Sequence, residues 1–208
     1  MISVSILGIK DEIKNNVHLL DKQDIDYMHI DIMDGKFVSN KTWNIDEISD
    51  ILDNTKVKKD VHLMVKDVKK YVDDFISLKP CYITFHYEAI NNVLDMIKYI
   101  KSLNIKVGLS IKPNTKVEEI IPYLSYLDLV LVMSVEPGLG GQKFIENSVY
   151  KINELYKLRN NYHYHYVIEV DGGINDVTSK LCKGADILVV GSFITNGNYE
   201  EQIRKITK

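Results

Sequence analysis

Side chains able to ligate a metal ion or carry a proton recur at one kind of place in this chain, the carboxyl end of a short apolar run. The segment Met28-His29-Ile30-Asp31-Ile32-Met33-Asp34-Gly35 reads as a strand whose period of two puts His29, Asp31 and Met33 on one face. Met28, Ile30 and Ile32 share the other. Asp60, His62 and Met64 repeat the device, opposed by Val61, Leu63 and Val65 on the face that should pack under helices. A third run ends Glu169-Val170-Asp171-Gly172-Gly173, again with an acid at its carboxyl end. His29, Asp31, His62 and Asp171 together form a mixed nitrogen and oxygen donor set without a thiolate, suited to one divalent Zn, Fe, Mn or Co ion.

Other residues have weaker claims. Asp34 lies on the opposite parity and precedes Gly35, which favours a turn or cap. An Asp before two glycines, as at Asp171, is also a turn former. His86 closes the run Tyr82–His86 and either borders the pocket or bonds to a neighbouring loop, whereas His18, His163 and His165 read as surface or packing residues. Met33, Met64 and Met133 fall at strand ends, where methionine ordinarily packs; beside a metal-held oxyanion they would wall the pocket and keep water out. Glycine clusters follow three successive runs: Pro137-Gly138-Leu139-Gly140-Gly141-Gln142, Gly172-Gly173 and Gly191-Ser192. Each alone is an ordinary turn. In series they resemble a cradle of backbone amides for a phosphate.

The elements that must position these residues follow one beat. Strand-like runs recur at Ile2–Leu7, Tyr27–Met33, Val57–Val65, Tyr82–His86, Lys106–Ile111, Leu127–Met133, Tyr164–Val170 and Ile187–Val190. Stretches with helical spacing lie between them, clearest at Val68, Tyr71, Val72, Phe75 and Ile76, then at Val93, Ile97 and Ile100, and at Val117, Ile120, Ile121 and Leu124. Eight strand candidates, each with a helix candidate after it, predict an α/β chain folded as an eight-stranded (β/α)8 TIM barrel in one domain over residues 1–208, at about 26 residues per unit. The structural rival with the same local pattern is an open doubly wound sheet.

Composition narrows the function classes. With 26 Lys and Arg against 29 Asp and Glu, a net charge of −3 and 45% hydrophobic residues, the sequence reads as an ordinary soluble domain and offers no basic excess for nucleic acid. Cys81 and Cys182 are too few for a disulfide framework or a thiolate zinc site and point to the reducing cytoplasm. Met1–Ile9 is too brief for a signal-peptide core, and no run approaches the ~18 apolar residues of a membrane span.

Taken together the residues resemble those of the ribulose-phosphate 3-epimerase family. The matching segments are Val4-Ser5-Ile6-Leu7, His29 to Gly35 with Phe37-Val38, Asp60 to Val65, Thr84 to Ala89, Val132 to Gln142, Ile168 to Gly173 and Gly191-Ser192, in family order along the chain. The resemblance implies a metal-dependent enzyme that interconverts D-ribulose 5-phosphate and D-xylulose 5-phosphate, a step of the pentose phosphate pathway. His29, Asp31, His62 and Asp171 would hold the ion, with Asp31 and Asp171 also acting as the acid/base pair. Ser5, His62, Gly138, Leu139, Gly140, Gly141, Asp171, Gly172, Gly173, Gly191 and Ser192 would contact the phosphorylated ketose. Related epimerases are often homo-oligomers. The sequence departs from the family pattern at Gly8-Ile9-Lys10, Lys36, Ser39 and Leu139, which are expected to alter the pocket rim. The rivals are an epimerase of a longer ketose phosphate such as allulose 6-phosphate, a metal-free lyase or decarboxylase of the same barrel type, and a non-catalytic sugar-phosphate-binding barrel. The double glycines favour the pentose enzyme, and Asp60-Val61-His62 offers no lysine at the place where the metal-free enzymes need one.

Overall fold

The structure, a computed structural model, describes residues 1–207. Eight parallel strands close on themselves in chain order: β1 (Ile2–Ser5), β2 (Tyr27–Met33), β3 (Lys58–Met64), β4 (Tyr82–His86), β5 (Lys106–Ile111), β6 (Leu129–Met133), β7 (Val167–Asp171) and β8 (Ile187–Val190). The expected barrel is present, and β1 pairing with β8 excludes the open sheet.

The period of two divides the apolar residues into separate packing zones. Outward-facing Met28, Ile30, Ile32, Val61, Leu63, Ile83 and Phe85 join the residues beneath the helices in one continuous cluster. Inward-facing Tyr27, Tyr82, Leu129, Leu131 and Ile187 form a second cluster that plugs the amino-terminal end of the barrel. There the Tyr27 and Tyr82 rings meet edge to face at 5.7 Å. This plug closes the barrel from below, so ligand access is left to the carboxyl end.

Among the described residues seven α-helices pack outside: α1 (Ile13–Leu20), α2 (Ile45–Ile51), α3 (Val68–Phe75), α4 (Val93–Ser102), α5 (Ser148–Tyr162), α6 (Ser192–Thr195) and α7 (Tyr199–Thr207). Val68, Val72 and Phe75 of α3 and Val93, Ile97 and Ile100 of α4 are buried, as their spacing predicts. The regular strand-then-helix beat fails twice. After β5 the residues Val117–Tyr126 wind as a 3-10 helix: Pro122 lacks the N–H an α-helix needs, and Ile121, expected on the buried stripe, is exposed. After β7 only a 3-10 turn, Thr178–Leu181, fits before β8, because the Asn175 carboxamide has already turned the chain by accepting from the Val177 and Thr178 N–H groups.

Strand ends also differ from expectation, in β3 by a single residue at each end and in β1, β6 and β7 for identifiable reasons. β1 stops at Ser5, whose hydroxyl accepts from the Leu7 N–H and starts a 3-10 turn. β6 begins at Leu129 because Asp128 is used at the bend, where its carboxylate accepts from the Val107 N–H. β7 begins only at Val167, after Tyr166 has turned inward to donate its hydroxyl to the Leu155 carbonyl, and it runs on to Asp171.

Candidate active site

Parallel pairing sets the first distances. Ser5 lies beside His29 and Asp31 beside His62, so adjacent strands deliver polar side chains at one level inside the barrel. His29 and His62 are fully buried and Asp31 nearly so. Ser5 Oγ donates to Asp31 Oδ2 at 2.8 Å. The other oxygen, Asp31 Oδ1, stands 3.4 Å from His29 Nε2 and 3.1 Å from His62 Nδ1. One ligand atom from each of His29, Asp31, His62 and Asp171 lies within 4.8 Å of every other.

These residues fit a divalent cation. Bonds of about 2.1 Å to a tetrahedral ion imply ligand-to-ligand edges of about 3.4 Å, close to both separations around Asp31 Oδ1. His29 Nε2 is buried without a hydrogen-bond partner, an orphaned lone pair facing the cluster. Two carboxylates and two neutral imidazoles would balance a double positive charge. Burial opposes a proton on His29, yet the Asp31 and Asp60 carboxylates hold its pKa well above the ordinary histidine range, so the metal-free site draws in positive charge. Burial likewise opposes the charge on Asp31, and His29 outweighs it and holds the carboxyl very low.

A second acidic group lies one layer deeper. Asp60 and Glu169 approach His29 from β3 and β7, but here Asp60 Oδ2 is 2.7 Å from His29 Nδ1, a hydrogen-bond distance and too short for two ligands of one ion. Asp60 therefore accepts the Nδ1 proton, which leaves Nε2 free for a metal. Ser3 Oγ donates to the same carboxylate oxygen at 3.0 Å. Glu169 is fully buried; burial and the charge of Asp60 push its pKa far up, so it stays a neutral acid beside a charged one. Neither was expected at the site. Their parity with His62 and Asp171 was the available signal, but each lies two residues earlier on its strand than the expected ligand whose face it shares.

His86, left open by the sequence, borders the site. Its Nε2 lies 2.9 Å from His62 Nε2, and its Nδ1 faces Glu88 Oε2 at 3.3 Å. Burial lowers the His86 pKa to about 4, so the ring is neutral near pH 7. Asp34 is the turn residue expected of it, accepting from the Lys36, Phe37 and Lys66 N–H groups. His163 and His165 are exposed.

A cavity of about 680 Å³ opens above the cluster at the carboxyl ends of the strands. Every other residue expected at the pocket lines it: Ser5, Asp31, Asp171, the three methionines, Gly138 to Gly141, Gly172-Gly173 and Gly191-Ser192. His29 and His62 sit beneath its floor. Met33, Met64 and Met133 are each only 2% exposed and supply apolar wall. Of the unusual rim residues, Gly8, Ile9, Lys10 and Leu139 line the cavity, whereas Lys36 and Ser39 do not. The β2 loop that carries those two turns aside, and Asn40 Nδ2 pins it by donating to the Gly138 carbonyl at 2.8 Å.

The glycine loops offer backbone rather than side chains. Among the described residues, no acceptor serves the N–H groups of Gly140, Gly141 and Gly173. Gly173 has φ +65°, and a Cβ there would lie 2.4 Å from the Phe144 backbone nitrogen, so the loops after β6 and β7 touch main chain to main chain. Asp171 precedes this contact. Burial, with the charge of Asp31 adding to it, raises its pKa to about 6. The arrangement sets donor atoms suited to a cation and unpaired backbone N–H groups suited to an anion in the walls of one cavity, with the Asp171 carboxyl group among them.

Comparison with known proteins agrees with this geometry. Residues 1–195 match the Ribulose-phosphate 3 epimerase family. The chain is 36% identical over 181 residues to ribulose-phosphate 3-epimerase of Treponema pallidum, covering 86% of this chain and 83% of that protein. It is 37% identical over 184 residues to the Aquifex aeolicus protein of the same name, covering 87% and 83%. Among solved structures, KGPDC from Streptococcus mutans superposes with a TM-score of 0.68 at 12% identity, covering 99% of this chain and 94% of that one. At that identity the likeness shows the fold alone. Matched in sequence over residues 1–195 by the family and over most of its length by such relatives, the chain belongs to the ribulose-phosphate 3 epimerase family.

Proposed function

We propose that this chain epimerises D-ribulose 5-phosphate to D-xylulose 5-phosphate at C3, with Asp31 and Asp171 as the two proton carriers. The observation that carries the reading is the pairing of unlike carboxyl groups in one pocket: Asp31 held ionised by His29, and Asp171 raised to about 6, near working pH. One carboxylate takes the C3 proton of the bound ketose and the other carboxyl returns a proton to the opposite face. The centre is inverted and no atom is gained or lost. The reverse reaction exchanges their tasks.

His29, Asp31, His62 and Asp171 would hold one divalent ion, with Zn, Fe, Mn and Co all compatible with a nitrogen and oxygen set. Such an ion supplies positive charge that lowers the cost of the negative charge growing on the ketose as C3 loses its proton. Ser5 orients Asp31, the methionine wall excludes water, and Gly138 to Gly141, Gly172-Gly173 and Gly191-Ser192 receive the phosphate. The chain acts in the cytoplasm, which its free Cys81 and Cys182 suit, and as an oligomer of identical copies, by family resemblance.

The test incubates metal-loaded protein with D-ribulose 5-phosphate in D₂O. Deuterium at C3 and D-xylulose 5-phosphate are expected; the absence of both sinks the reading. Allulose 6-phosphate run beside it should turn over far more slowly.

A further inference from the structure

We propose that His86 and Glu88 are positioning residues that set the tautomer of His62, leaving its Nδ1 lone pair free for the cation. The inference rests on the metal site proposed above. His62 Nε2 and His86 Nε2 are 2.9 Å apart with both rings buried, so one of these nitrogens donates and the other accepts. If His86 donated, the His62 proton would sit on Nδ1, 3.1 Å from Asp31 Oδ1, and the ligand position would be closed.

Glu88 decides between the two. It is an ionised carboxylate, held at a pKa of about 2 against the cost of burial by hydrogen bonds from His86, Thr115 and the Lys112 N–H. A carboxylate only accepts, so His86 Nδ1 carries the hydrogen toward Glu88 Oε2 and His86 Nε2 is the acceptor. His62 then donates from Nε2 and presents a bare Nδ1. Glu88 is itself fixed: Oε1 accepts from the Lys112 N–H at 2.8 Å and from the Thr115 hydroxyl. Lys151 of α5 pins that turn by donating Nζ to the carbonyls of Lys112 and Pro113 at 2.8 and 2.7 Å. Phe37 lies 4.8 Å from the His86 ring and shields the link from water. His29 reaches its orienting carboxylate, Asp60, in one step; His62 reaches Glu88 in two.

A near-isosteric change inverts the relay. In Glu88→Gln the Lys112 N–H keeps the amide oxygen, so the amide NH₂ faces His86 Nδ1 and forces the opposite tautomer on both histidines. Glu88→Ala removes the instruction without reversing it. Zinc affinity, measured by competition with a chromophoric chelator, is expected to fall about 10- to 100-fold in Glu88→Gln and less in Glu88→Ala. A space-filling role predicts the reverse order. Independently of any variant, ¹⁵N-histidine spectra of the zinc-loaded wild-type protein should show hydrogen on His62 Nε2 and on His86 Nδ1. Wild-type affinity in Glu88→Gln, a larger loss in Glu88→Ala, or a hydrogen on His86 Nε2 overturns the proposal while leaving the metal site standing. Failure of the wild-type chain to bind zinc, or unchanged binding in His29→Ala, defeats the metal site and this inference with it.

Discussion

Strands β1 to β4 furnish the pocket with side chains that hold one another: Asp60 braces His29, Ser5 braces Asp31, and His86 meets His62. Strands β6 to β8 furnish it mainly with backbone, through glycines at Gly138 to Gly141, Gly172-Gly173 and Gly191. The first half is a network of charge and tautomer, which a change in one atom type can unbalance. The second is a surface of close approach, sensitive to one added carbon. Asp171 is the exception that joins them, a member of the four-residue donor cluster set on the glycine side.

The largest test removes that exception. Asp171→Asn keeps the shape and loses the proton, so turnover should drop about 10²- to 10⁴-fold with a much smaller change in KM. Steady-state rates check it, and near-normal turnover would break the assignment of two carboxyl groups to two faces of the sugar. Gly173→Ala probes the backbone half. A Cβ 2.4 Å from the Phe144 nitrogen forces the two loops apart, which should cost about 2 kcal/mol or more in urea unfolding and raise KM for the phosphorylated substrate.

Carboxyl groups of the two halves also respond to pH with opposite signs. The folded-state pKa of Asp171 is raised to about 6, so in metal-free protein its favourable contribution is complete below the ordinary carboxylate range and is lost as pH rises through about 6. Asp31 and Glu88 are held low, so theirs is present above that range and is lost as pH falls. Metal-free Asp171→Asn should therefore match wild type near pH 4 and exceed it by about 2 kcal/mol near pH 7, a figure discounted for the partial exposure of Asp171. A difference between the melting curves that does not vary with pH would contradict this. Smallest is Gly141→Ala. A Cβ there meets nothing within 4 Å, and only the φ of +72° resists it, so about 1 kcal/mol is expected. A loss as large as at Gly173 would mean that the loop is packed more tightly than its geometry indicates.

Much of this was legible in the chain. Period two placed His29, Asp31 and His62 inward correctly because a strand has only two faces. Glycines after three successive strands marked the pocket's backbone half. What stayed hidden depended on neighbours in space. Asp60 and Glu169 had the right parity, but only contacts in space, such as the 2.7 Å between Asp60 Oδ2 and His29 Nδ1, separate a brace from a ligand. His86 was ambiguous because its role hangs on His62 and Glu88, brought together by the meeting of β3 with β4 and by the turn that follows β4. The helical beat failed after β5 and β7, where Pro122 and Asn175 overrode the pattern.

By itself the sequence determined the alternation of strands, the faces they bury and the types of donor at their carboxyl ends, since these follow from local periodicity and side-chain chemistry. Only the tertiary structure decided that β1 meets β8 and that four candidate donor atoms converge within 4.8 Å. It alone also set which nitrogen of each histidine is spoken for, because that depends on distances of a few tenths of an ångström between residues more than twenty positions apart, such as His62 and His86.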